Sequence, residues 1–122
     1  MSRFVIRAVP SGVKFDLKAA NGQTIATSEV YDTESACIKG IKSVQKNAVT
    51  TKIEDQTHQD YSPLTNPKYV LYTDKAGQFR FRLTARNGQI IAVSEGYCTH
   101  AACENGISSV QKNAPEAEIS QE

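Results

Sequence analysis

The sequence predicts an α+β fold: two tandem β-β-β-α-β repeats forming one mainly antiparallel sheet, with two helices packed on one face and pseudo-twofold symmetry. Three observations predict it. Residues 14–54 recur as residues 80–120 at a constant offset of 66, with 23 of 41 positions identical. Early in each copy, apolar and polar side chains alternate with a period of two, the pattern of a half-buried strand. Later in each copy the apolar spacing changes to three and four, the pattern of an amphipathic helix.

Each element follows in order. Phe4-Val5-Ile6 is a short apolar run, matched at the same offset by Val70-Leu71-Tyr72. Turn residues follow, Pro10-Ser11-Gly12 in one copy and Asp74-Lys75-Ala76-Gly77 in the other, and close a first hairpin. Val13, Phe15, Leu17 and Ala19 then alternate with polar residues, as do Phe79, Phe81, Leu83 and Ala85. Asn21-Gly22 and Asn87-Gly88 mark a second hairpin. A three-residue loop with glycine in the bulge position is expected to pair Leu17 with Ile25 and Leu83 with Ile91. Thr33 and Thr99 are helix N-caps. Cys37, Ile41, Val44 and Ala48 form one buried stripe, repeated by Cys103, Ile107, Val110 and Ala114. Gly40 and Gly106 sit within the helices at a cost of about 1 kcal/mol each, which implies close approach to the sheet. Asn47 and Asn113 suit a left-handed helix end. A short last strand is expected near Lys52-Ile53 and Glu118-Ile119.

Two copies are too few for an open solenoid. One β-β-β-α-β unit with its single helix leaves apolar surface uncovered. The expected organisation is a first repeat over residues 1–54, a connector over 55–68 and a second repeat over 69–122, integrated into one domain.

Composition narrows the function classes. Fourteen basic and thirteen acidic side chains leave a net charge of +1, which argues against a binder driven by overall charge. No apolar run approaches the roughly 18 residues of a membrane span, and none resembles a signal-peptide core. Three cysteines without an export signal do not read as a disulfide framework. The expectation is a cytoplasmic protein with no membrane partner.

The runs FRLTARNGQIIAVSEGY and AACENGISSVQKNA resemble the YegP-like family, small prokaryotic proteins with one or two copies of this unit and no assigned function. The combination NGQ, SEGY, ENGI and VQKNA carries the resemblance, which covers about four-fifths of the chain. The first copy departs from it at Val30 and at Ile38-Lys39. The resemblance implies that the last strands are exchanged between the two units. It implies no enzyme activity, cofactor or substrate.

Candidate chemistry is sparse. Cys98, His100 and Cys103 lie within six residues, but a structural zinc site wants four ligands, and His58 is the only other histidine. The first copy has Asp32, Glu34 and Cys37 instead. No metal or cofactor is expected. The outward strand face carries Lys14, Lys18, Arg80, Arg82 and Arg86, a candidate interaction surface with only Asp16 opposing it. No aromatic platform for stacking bases is expected on that face. The function read from these residues is a non-enzymatic module that binds a protein or small ligand, or associates with itself. The alternative is a nucleic-acid-associated protein using the basic face, and after it a small enzyme using Cys98 and His100.

Overall fold

Alternation along residues 13–19 and 79–85 buries Phe15, Leu17, Phe81 and Leu83 almost completely and turns their polar neighbours to the other side. The computed structural model describes residues 2–122, and Met1 lies outside the described residues. The first unit comprises β1 (Arg3–Val9), β2 (Gly12–Lys18), β3 (Thr24–Thr27), α1 (Glu34–Asn47) and β4 (Ile53–Asp55). The second comprises β5 (Lys68–Thr73), β6 (Phe79–Thr84), β7 (Ile90–Val93), α2 (His100–Asn113) and β8 (Glu118–Gln121). Together they form one eight-stranded sheet in the order β4-β5-β6-β7-β3-β2-β1-β8.

The two units meet where β3 runs antiparallel to β7, with Thr27 opposite Val93. Helix α1 packs on β1 and β2 and reaches across to β6 and β7, while α2 packs on β6 and reaches across to β3. The stripes Cys37-Ile41-Val44-Ala48 and Cys103-Ile107-Val110-Ala114 are fully buried in one shared core. Neither unit encloses its apolar face alone.

The last strands are exchanged. Strand β4 of the first unit pairs parallel with β5 of the second, and β8 of the second pairs parallel with β1 of the first. The helices hold these crossovers with matched polar contacts. Gln45 Nε2 donates to the Ala117 carbonyl at 3.1 Å, and Gln111 Nε2 donates to the Thr50 carbonyl at 2.9 Å. Where each exchanged strand ends, it meets the first turn of the opposite unit's helix. Gln121 bonds Glu34, and Asp55 Oδ2 lies 2.7 Å from His100 Nε2.

The second of these tethers is titratable. The Asp55 hydrogen bond raises the pKa of His100 above 6.5 against the opposing effect of burial, and the charges of Asp55 and Glu104 add to it. Asp55 is in turn held below 3.8: its burial is outweighed by hydrogen bonds from Thr57 and His100. His58 Nε2, on the exposed connector, is 3.4 Å from the same carboxylate. A raised native pKa contributes stability below the unfolded value and loses it as pH rises through the native value. A depressed one contributes above the unfolded value and loses it as pH falls. The tether is therefore complete between about pH 4 and pH 6.5. Replacing His100 by asparagine is expected to cost stability at about pH 6 and little at about pH 9. Equal losses at both, measured by urea unfolding, would contradict this.

Several local expectations are corrected. The second hairpins do have three-residue loops, with Ala19 N donating to Gln23 O at 2.9 Å and Gly22 at φ +85°. Lys18 accordingly faces Thr24, but a β-bulge follows, so Leu17 pairs with Ala26 rather than Ile25. The second copy repeats it, with Leu83 opposite Ala92 rather than Ile91. The extra residue lets neighbouring Ile25 and Ala26 both enter the core, as do Ile91 and Ala92. The first strands match at an offset of 65, not 66. Phe4 faces Leu17 as Tyr69 faces Leu83, because the turn after β5 is one residue longer. Asn47 and Asn113 do not adopt a left-handed conformation. Their side-chain amides instead donate back to the Ser43 and Ser109 carbonyls, at 2.8 and 2.9 Å.

The mid-helix glycines answer to tyrosine. Tyr31 and Tyr97, at the strand-to-helix corners, stack on Phe15 and Phe81 and push their hydroxyls beneath Gly40 and Gly106. Val30, the residue at which the first copy departs from the family pattern, is compensated across the sheet. Gly12 leaves room for Val30, whereas Gln78 fills the space that Gly96 vacates.

Candidate functional site

Polar residues identical in the two copies owe much of their identity to structure. Ser28 Oγ accepts from Phe15 N at 2.9 Å and donates to the Glu29 carbonyl, and Ser94 does the same for Phe81 and Glu95. Asn21 and Asn87 close their turns by accepting from Gln23 N and Gln89 N. The more informative positions are those that differ between the copies.

A cleft of about 710 Å³ lies beside α1. One wall is a helical stripe of Lys39, Lys42, Ser43, Lys46 and Asn47. The other comprises Lys52, then Asn66 and Pro67 of the connector, then Ala85, Arg86 and Asn87 of the β6–β7 hairpin. Five cations line it, with no carboxylate, imidazole or thiol.

The walls are fixed in place. Lys52 Nζ donates to Thr65 Oγ1 at 2.7 Å, Thr50 Oγ1 donates to the Pro67 carbonyl at 3.2 Å, and Thr84 Oγ1 donates to Asn66 Oδ1 at 2.7 Å. The connector is anchored further by a buried ion pair, Lys68 Nζ to Glu54 Oε1 at 2.6 Å, and the same oxygen accepts from Leu64 N. Lys39, Lys42, Lys46 and Arg86 have no hydrogen-bonding or ion-pair partner among the described residues. Their charges remain available to a ligand.

Pseudosymmetry supplies an internal control. The equivalent position beside α2 is a smaller cavity of about 250 Å³, lined by Ser2, Ala20, Lys112, Asn113, Glu116 and Ala117. Ser43, Lys46, Asn47, Ala85 and Asn87 have identical counterparts in Ser109, Lys112, Asn113, Ala19 and Asn21. The other cations do not: Lys39, Lys42, Lys52 and Arg86 become Asn105, Ser108, Glu118 and Ala20. The framework is duplicated, and the charge is concentrated in one copy.

The surface expected from the sequence is divided. Lys14 and Lys18 on β2 and Arg80 and Arg82 on β6 share the sheet face opposite the helices. Arg80 is engaged by Asp74 at 2.7 Å and donates to the Ser94 carbonyl. Asp16 is paired with Arg7 at 2.8 Å. Arg82 lies over the ring of Tyr72, 4.8 Å from its centroid, so this face does carry an aromatic side chain, contrary to expectation. Strand β5 is shifted by one residue relative to the simple offset, which turns Tyr72 outward. Arg86 leaves this group and joins the α1 cleft.

Cys98, His100 and Cys103 do not converge. Cys98 is exposed and Cys103 is buried. Burial, with the charges of Asp55 and Glu104, pushes the Cys103 thiol up to about 11. His100 is held between Asp55 and Glu104, with its Nδ1 3.2 Å from the latter. Among the described residues, no group of three or more His, Cys, Asp or Glu side chains is arranged to hold a metal ion. Among the described residues, no helix is long and apolar enough to cross a membrane.

Comparison with known proteins agrees with this architecture. The profile of a family described as a domain of unknown function, DUF1508, matches twice, at residues 12–55 and 74–121. A UPF0339 protein of Bordetella pertussis is 40% identical over 114 residues, which span 93% of this chain and 89% of that protein. A UPF0339 protein of Methanosarcina acetivorans is 58% identical over 52 residues, 43% of this chain and 90% of that one. The solution structure of yegP from E. coli, a protein of unknown function, superposes with a TM-score of 0.77 at 32% identity, over 98% of this chain and 91% of that one. Duplicated profile, relatives and fold together place the chain in the YegP-like (UPF0339) family, as a tandem form of a domain whose function is unknown.

Proposed function

We propose that this protein is a non-enzymatic binding module and that its ligand is an anion held in the cleft between α1, the connector and the β6–β7 hairpin. The observation that carries this reading is the asymmetry between the two equivalent clefts. A solvated helix face has no reason to gather cations on one copy of a duplicated framework. Here five converge at one site in a chain whose net charge is only +1. The lining offers charge and hydrogen-bond donors, with no carboxylate, imidazole or thiol beside them.

The test is a nuclear magnetic resonance titration with inorganic pyrophosphate at about 50 mM salt, where phosphate contacts are strong. The expected result is a set of shifts centred on residues 39–47 and Arg86. A Lys42→Ala/Arg86→Ala variant should bind at least about tenfold more weakly, since a charge-assisted hydrogen bond is worth roughly 1.5–3 kcal/mol. Absence of binding would overturn the reading. Shifts centred on Lys14, Lys18, Arg80 and Arg82 would move the site to the open sheet face.

A further inference from the structure

Resting on the anion reading above, we infer that the cleft is built for a linear chain of phosphates carrying no base. Lys39, Lys42 and Lys46 follow one another at steps of three and four, so they stand on a single face of α1. At about 1.5 Å per residue they form a ladder roughly 10 Å long parallel to the helix axis. Arg86 and Lys52 face that ladder from the other wall. One phosphate cannot span such a row, whereas successive phosphates can engage it rung by rung.

The residue types agree. Four of the five cations are lysines, compact charges on flexible stems that do not impose the bidentate geometry of a guanidinium. That suits a chain whose oxygens present themselves in many orientations. No aromatic side chain lines the cleft, so there is no platform on which a base can stack. Its amides are partly engaged within the fold: Asn47 Nδ2 donates to Ser43, Asn66 Oδ1 accepts from Thr84 and Asn87 Nδ2 donates to Gln89. The second cleft, with one lysine beside Glu116, offers no such ladder, which sets the stoichiometry at one chain per protein.

Calorimetric titration of the intact protein, without divalent metal and at about 0.1 M salt, tests this with orthophosphate, tripolyphosphate and a longer linear polyphosphate. An oligothymidylate of matched charge is the fourth arm. Affinity should rise about tenfold or more from orthophosphate to tripolyphosphate, each added charge-assisted contact supplying roughly that factor. Tripolyphosphate should bind with one-to-one stoichiometry. A Lys39→Gln/Lys42→Gln/Lys46→Gln variant should keep its thermal midpoint and lose the dependence on chain length. Equal affinity for orthophosphate and tripolyphosphate would overturn the inference while leaving a single-anion site intact. Tighter binding of the oligothymidylate would also overturn it and make a nucleic-acid strand the ligand. No binding in any arm would sink the anion reading itself.

Discussion

Replacing Gly106 by alanine should lower the thermal midpoint by roughly 8 °C, although alanine is the better helix former by about 1 kcal/mol. The added methyl would stand 2.5 Å from Tyr97 Oη, 2.9 Å from its Cζ and 3.0 Å from Phe81 Cε2. The Phe81 ring cannot step aside. Phe81 stacks on Tyr97 at 6.4 Å and meets Tyr69 edge-on at 6.0 Å, and both Phe81 and Tyr69 are fully buried. Overpacking a tight core costs about 1–3 kcal/mol or more, so the net loss is about 2 kcal/mol after the helix gain. Tyr97→Phe in the alanine background should recover part of it, because the hydroxyl is the nearest atom. Thermal unfolding followed by circular dichroism measures both. A Gly106→Ala protein as stable as the parent would show that the tyrosine does not set the helix height.

A Lys68→Met substitution should be the most damaging single change near the cleft, at about 3 kcal/mol or more. It strands the Glu54 carboxylate, which is 4% exposed and faces Lys68 at 2.6 Å. Burial alone would raise the pKa of Glu54. Hydrogen bonds from Lys68, Gln56 and Leu64, with the lysine's charge, outweigh it and carry the value down to about 2 from an ordinary 4.5. The stabilisation is thus complete above about pH 4.5 and fades as the carboxylate is protonated towards pH 2. Urea unfolding across that range should show a steep acid limb in the parent and a shallower one in Glu54→Gln. The double variant Glu54→Gln/Lys68→Met should regain most of the loss, since no unpaired charge remains. A Lys68→Met protein of parental stability would mean that the pair contributes little and that the connector is held by other contacts.

How far the molecule was legible follows from the kind of signal each part leaves. Period two and period 3.6 are written directly in residues such as Phe15-Leu17 and Ile41-Val44, so strands, helices and core faces could be read without a structure. The bulge beside Ile25 leaves no such mark. Two adjacent apolar residues fit either register, and only packing of both into one core selects Ala26 as the partner of Leu17. The shift in β5 depends on a single extra turn residue, which hides which way Tyr72 faces. The cleft was missed for a different reason. Retained residues invite attention, but Asn21, Ser28 and Gln45 are kept largely by hydrogen bonds within the fold. Lys39, Lys42, Lys52 and Arg86 are visible only as differences between the copies, and their convergence needs three elements brought together in space.

The crossed final strands bear on what holds the chain together. A cut in the exposed stretch between residues 58 and 65 would not release two free units, because each fragment's tail would still run beside the other's opening strand. The nicked species should migrate as a single particle in native sieving, and its melting temperature should acquire a dependence on protein concentration that the unbroken chain lacks. Covalent continuity here spares the molecule the entropy of finding its other half, a burden that a polypeptide holding one such repeat would have to meet by pairing with a second molecule.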